Sequence, residues 1–115
     1  MEMLPLAAAA MMGSTDVSAQ VVLSLSGDFQ KTTHTYQCDM IDNPFTVEFI
    51  NAEPNYLAIV PVGGRKMVFV NVISGSGARY VAGQYEFWTK GAEATFTDVQ
   101  ADPQSVQCNE INDTP

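Results

Sequence analysis

Two residues able to do chemistry at a surface stand in the second half of the chain: Ser76, set between glycines in Gly75-Ser76-Gly77, and Lys90, set before Gly91. Between them the chain reads Ala78-Arg79-Tyr80-Val81, then Ala82-Gly83-Gln84, then Tyr85-Glu86-Phe87-Trp88-Thr89. The first and third runs favour strand and the middle one a turn, so the stretch predicts a hairpin with a further turn at each end. Antiparallel pairing brings together residues equidistant from the turn, which sets the Ser76 end beside the Lys90 end. A hydroxyl and an ammonium are therefore expected side by side on one rim, with glycines that let the backbone approach another surface closely.

Covalent catalysis is not the chemistry these residues suggest. Ser76 lacks the GxSxG elbow of a serine hydrolase, and the acids Asp39, Glu48 and Glu86 show no spacing that a glycosidase requires. With the single histidine, His34, a Cys/His nucleophile pair would depend on a coincidence of folding, and two isolated cysteines cannot complete a four-ligand zinc site. Gly63-Gly64-Arg65-Lys66 lacks the strand-to-helix context of a phosphate loop and reads as a hairpin turn. No enzyme activity, metal or cofactor is expected. Taken singly, Ser76 reads as a turn serine bonding local backbone and Lys90 as an edge charge that discourages aggregation. Arg79 is expected to face water, and Tyr80, Phe87 and Trp88 to fill the core that a small domain needs.

The elements that must position the hairpin are strands. Short β-favouring runs at Val21–Ser26, Thr33–Cys38, Phe45–Ile50, Tyr56–Val62, Lys66–Val72, Ala94–Val99 and Ser105–Cys108 are punctuated by Gly27-Asp28, Asp42-Asn43-Pro44, Glu53-Pro54-Asn55, Gly63-Gly64 and Asp102-Pro103. Phe45, Val47 and Phe49 alternate with Thr46 and Glu48, the period of a half-buried strand. No amphipathic helix of ten or more residues emerges. With the hairpin, eight or nine strands predict an all-β fold, a small antiparallel barrel or a sandwich. An eight-strand barrel of this length has an interior filled by side chains, which counts against a small-ligand carrier and moves function to rim and loops.

The chain has 115 residues, 46% hydrophobic and 16% charged, a globular composition for one domain. Five basic against thirteen acidic residues give a net charge of −8, which argues against nucleic acid and anionic lipid and for a basic partner. Residues 1–19 read as a signal peptide, with an apolar run Leu4–Met12 and a small-x-small site at Val17-Ser18-Ala19, although Glu2 rather than a base precedes the run. Residues 20–115 are then the domain, at a net charge of −6 once Glu2 and Asp16 leave with the signal. No cysteine near Ala19 offers a lipid anchor. In an exported protein the remaining pair, Cys38 and Cys108, reads as a disulfide. An immunoglobulin domain would place a tryptophan soon after the first cysteine, whereas Trp88 comes fifty residues later. An exposed Phe- and Val-rich strand edge is one route by which two copies would pair.

Ser74-Gly75-Ser76-Gly77-Ala78-Arg79-Tyr80, followed by Tyr85, Trp88, Lys90 and Gly91, resembles the bacterial inhibitors of c-type lysozyme, which are membrane-anchored or periplasmic. The likeness extends more weakly through Tyr36-Gln37-Cys38 and Val47-Glu48-Phe49-Ile50-Asn51 to Cys108. The resemblance implies an antiparallel barrel that pushes a serine and a lysine into the lysozyme cleft, against its two catalytic carboxyl groups, and, without an anchor cysteine near Ala19, the soluble periplasmic branch of the family. On the matching positions these are Ser76 and Lys90, with Gly75, Gly77, Arg79, Tyr80 and Gly91 as the supporting loop.

Overall fold

A computed structural model describes residues 20–111 of the chain. Eight strands follow one another: β1 (Gln30–Cys38), β2 (Phe45–Ala52), β3 (Asn55–Val62), β4 (Arg65–Val72), β5 (Ala78–Ala82), β6 (Tyr85–Lys90), β7 (Glu93–Asp98) and β8 (Ser105–Glu110). Each pairs antiparallel with the next, and β8 returns to β1 to close the barrel. The expected all-β barrel is therefore the fold. Consecutive antiparallel strands need only short links, as at Gly63-Gly64, where both residues adopt the positive φ that a tight hairpin turn demands.

Strand alternation sorts the side chains. Val47, Val60, Phe69 and Phe87 are fully buried, and Tyr36, Ala58, Tyr80, Ala94 and the two cysteines complete the core. Aromatic rings fill the barrel axis: Phe87 lies 5.1 Å from Tyr36 in an edge-on contact, and Phe45 and Phe49 pack at 6.4 and 6.5 Å from it. These spacings are those of favourable aromatic pairs. The interior is occupied by side chains, as the narrow barrel requires.

The closing seam between β8 and β1 is short, running from Tyr36↔Glu110 to Cys38↔Cys108. Cys38 and Cys108 face each other in register and form the disulfide. Main-chain hydrogen bonds extend the seam on either side, Asp39 N to Gln107 O at 2.9 Å and Ile111 N to Thr35 O at 2.8 Å. His34 Nδ1 and Glu110 Oε2, 2.5 Å apart, add a side-chain link between the same two strands. The covalent bond thus falls at the join between the first strand and the last, where sequence separation makes closure entropically most costly.

Two expectations are corrected. Val21–Ser26 is not a strand: the run lies outside the sheet, with Val21 and Val22 each 84% exposed, and the eight strands close on one another without it. Closure confines the free strand edge to the start of β1, whose pairing with β8 covers only Tyr36–Cys38. Trp88 lies outside the core, since Phe87 points inward and its neighbour on a strand must point outward. The proposed signal at 1–19 lies outside the described residues.

Candidate functional site

The register fixes which loops share an end of the barrel. β4 ends and β5 begins at the end where β6 hands over to β7, so the 73–77 loop and the Gly91-Ala92 turn are neighbours. In the β5–β6 hairpin Ala78 pairs with Thr89, and Ser76 lies two residues before the first as Lys90 lies one after the second. Ser76 and Lys90 are both exposed. The hydroxyl and the ammonium expected on one rim are thus together on one rim.

The loop that carries Ser76 is braced from within and from the sheet. Ser74 Oγ donates to the Gly77 carbonyl at 3.2 Å, closing the turn on itself. Trp88 Nε1 donates to the Ser76 carbonyl at 2.8 Å, tying the turn to the outer face of β6. Arg79 Nη1 reaches the Ile73 carbonyl at 3.4 Å, and Asn71 Nδ2 donates to the Arg79 carbonyl at 3.1 Å. Ser76 Oγ itself makes no hydrogen bond among the described residues, so its hydroxyl is available to a partner.

Lys90 ends β6 and places Nζ 5.0 Å from the Trp88 ring centroid, within the range of a cation–π contact. Arg79 stands across the hairpin opposite Trp88, with Cζ 5.9 Å from the same ring. Arg79 Nε also pairs with Glu86 Oε1 at 3.0 Å, so its charge is matched on the sheet. Among the described residues Lys90 has no carboxylate within ion-pair distance.

The supporting residues divide. Gly77 and Gly91 take positive φ at the two turns, and Gly75 lies open beside Ser76. Tyr80 points inward and is 7% exposed, so it supports the site from beneath and reaches no partner. Arg79 gains a defined role, pairing with Glu86 and flanking Trp88. Reading Trp88 as core missed the residue that touches both halves of the site. The alternation Phe87 in, Trp88 out was the signal for it.

A shallow groove continues from this rim along the outer face of β6, β7 and β8, lined by Trp88, Lys90, Glu93, Thr95 and Gln107 among others. It lies outside the closed barrel, whose axis is filled. The arrangement offers hydrogen bonding and one unneutralised positive charge on a braced protrusion, which is the chemistry for engaging carboxyl groups recessed in another protein.

Comparison with known proteins identifies the family and the fold. The family described as membrane-bound lysozyme-inhibitor of c-type lysozyme matches residues 36–105. A membrane-bound lysozyme inhibitor of C-type lysozyme from Pseudomonas aeruginosa is 50% identical over 82 residues, covering 68% of this chain and 64% of that protein. Proteins of the same name from Cupriavidus necator and Escherichia coli are each 41% identical, over 64 and 66 residues, covering 56% and 57% of this chain and 50% and 57% of their own lengths. The chain thus spans between half and 64% of the length of these relatives. Among solved structures, Pseudomonas aeruginosa MliC in complex with hen egg white lysozyme superposes with a TM-score of 0.69 at 43% identity, covering 83% of this chain and 100% of that one. The barrel, the disulfide and the match across 36–105 make this chain a member of the family of membrane-bound lysozyme inhibitors of c-type lysozyme.

Proposed function

We propose that this protein inhibits c-type lysozyme by inserting Ser76 and Lys90 into the enzyme's cleft against its two catalytic carboxyl groups. The observation that carries the reading is the exposed pair on one braced rim, with Lys90 left free of any acidic partner among the described residues. That one solved relative was captured in complex with hen egg white lysozyme supports the choice of partner.

A retaining lysozyme keeps one carboxyl group protonated in an apolar pocket and the other ionised about 5 Å away. An ammonium delivered there meets a negative charge whose attraction is weakly screened. A hydroxyl beside it accepts from the protonated acid or donates to the ionised one. Occupying both groups blocks proton transfer and substrate entry together. A loop already held by Trp88, Ser74 and the disulfide-closed barrel loses little conformational freedom on docking, so more of the contact energy appears as affinity.

The relatives are named membrane-bound, and for this chain a soluble periplasmic form is part of the proposal. An envelope carrier is the rival function, and the filled barrel axis disfavours it. Turnover of peptidoglycan by a c-type lysozyme, measured with rising amounts of this protein, tests the reading. Stoichiometric loss of hydrolysis is expected, and undiminished hydrolysis at micromolar excess would overturn it.

A further inference from the structure

We infer that Trp88 is the positioning residue that fixes Ser76 and Lys90 relative to one another, holding the first through its N–H and the second through its ring; the inference rests on the functional reading above and extends it. The chain has one tryptophan, and it stands half-buried on the outer face of β6. Its indole donates to the Ser76 carbonyl at 2.8 Å, and the Lys90 ammonium lies 5.0 Å from its ring centroid. An indole N–H is a donor only, so this bond has one sense, from the sheet to the loop.

The choice of an aromatic partner has a consequence for charge. Lysine on a four-carbon stem samples many rotamers unless something holds its head. A carboxylate neighbour would hold it and also neutralise it, leaving less attraction for an incoming carboxyl group. A ring holds the cation electrostatically while adding no net charge. Arg79, the other cation near the ring, is matched instead by Glu86 at 3.0 Å. The face therefore carries two cations, one neutralised and one kept for use, with Trp88 between them.

Coupling between sites is read by double-mutant cycles. Substituting Trp88 by 3-benzothienylalanine replaces the N–H with sulfur and keeps the fused ring, so it removes the hold on Ser76 alone. Trp88→Leu removes both holds. With the sulfur analogue, the inhibition constant against c-type lysozyme should rise about three- to ten-fold, the value of one hydrogen bond. Ser76→Ala should then add little on that background, while Lys90→Ala keeps its full effect. On the Trp88→Leu background both should add little. Nuclear magnetic resonance of the free protein gives an independent readout: ring-current shifts of the Lys90 ε protons present in the wild type and the sulfur analogue and lost in Trp88→Leu, with faster amide exchange at Gly75–Gly77 in both variants. Strict additivity in the cycles, or Lys90 shifts and loop exchange unchanged by Trp88→Leu, would overturn the assignment. If the wild type leaves lysozyme untouched, the inhibitory reading falls, and the resonance measurements still decide whether Trp88 positions the pair.

Discussion

Gly77 lies directly against Lys90: a side-chain carbon added at Gly77 would sit 2.7 Å from Lys90 Cγ, and φ there is +68°. Only glycine accepts both conditions without displacement, because a Cβ is disfavoured in left-handed backbone and here also meets the lysine stem and the Thr89 carbonyl. Gly77→Ala should therefore cost about 1 to 3 kcal/mol of stability and push the Ser76 loop away from Lys90. Gly75→Ala is the control, since nothing lies within 4 Å of the added carbon. Thermal denaturation and lysozyme inhibition of the two variants check this. Loss of inhibition in Gly77→Ala with a folded barrel, and little change in Gly75→Ala, is the expected pattern; equal effects would refute it.

Lys90→Ala should weaken lysozyme binding by about 2 to 5 kcal/mol, because it leaves a recessed carboxylate unpaired. Ser76→Ala should cost about 1 to 3 kcal/mol, the penalty of an unsatisfied hydrogen-bonding group. Calorimetric titration of the enzyme with each variant gives both numbers. The acidic surface, −8 over the chain, should speed encounter with a cationic enzyme, so the association rate should fall with added salt more than the dissociation rate rises. Unaltered affinity in both variants would remove Ser76 and Lys90 from the contact.

Much of this fold was legible in the chain because its strands are local. Each pairs with its sequence neighbour, so alternation such as Phe45, Val47, Phe49 and turns such as Gly63-Gly64 predict element and partner together. What escaped was set by closure, a property of the whole barrel. Val21–Ser26 has strand composition, yet the eight strands that follow close on one another without it. Trp88 escaped for a different reason: burying aromatics is the usual solution in a small domain, and only the parity set by Phe87 decides against it here. The Ser76–Lys90 rim was legible through hairpin symmetry, whereas the cation–π and indole contacts that order it are side-chain facts that spacing does not reveal.

Reducing Cys38–Cys108 should destabilise the barrel by about 2 to 5 kcal/mol, since the bond closes a separation of 70 residues. The damage should begin at the seam. β1 and β8 amides near Tyr36 and Asn109 should lose hydrogen-exchange protection before those of the β3–β4 hairpin, which the turn at Gly63-Gly64 joins locally. Paired Cys38→Ala and Cys108→Ala substitutions should reproduce the reduced protein. Uniform loss of protection over all strands would show instead that the bond stabilises the barrel as one cooperative unit.

Tyr36 makes alkaline stability a probe of the core. Burial, with the negative charge of Glu110 and then Tyr80 adding to it, pushes its phenol up to about 12 from an ordinary value of 10.0. The folded state favours the neutral, protonated phenol, so this contribution is fully present below about pH 10 and is lost as pH rises from 10 through about 12. Stability should therefore decline steadily across that window. Tyr36→Phe removes the ionisable group while keeping the ring against Phe87. Its denaturation midpoint in urea should therefore fall less steeply than the wild type's between pH 10 and 12. Parallel curves for the two proteins would mean that Tyr36 ionises without opening the barrel, and that another group governs its alkaline limit.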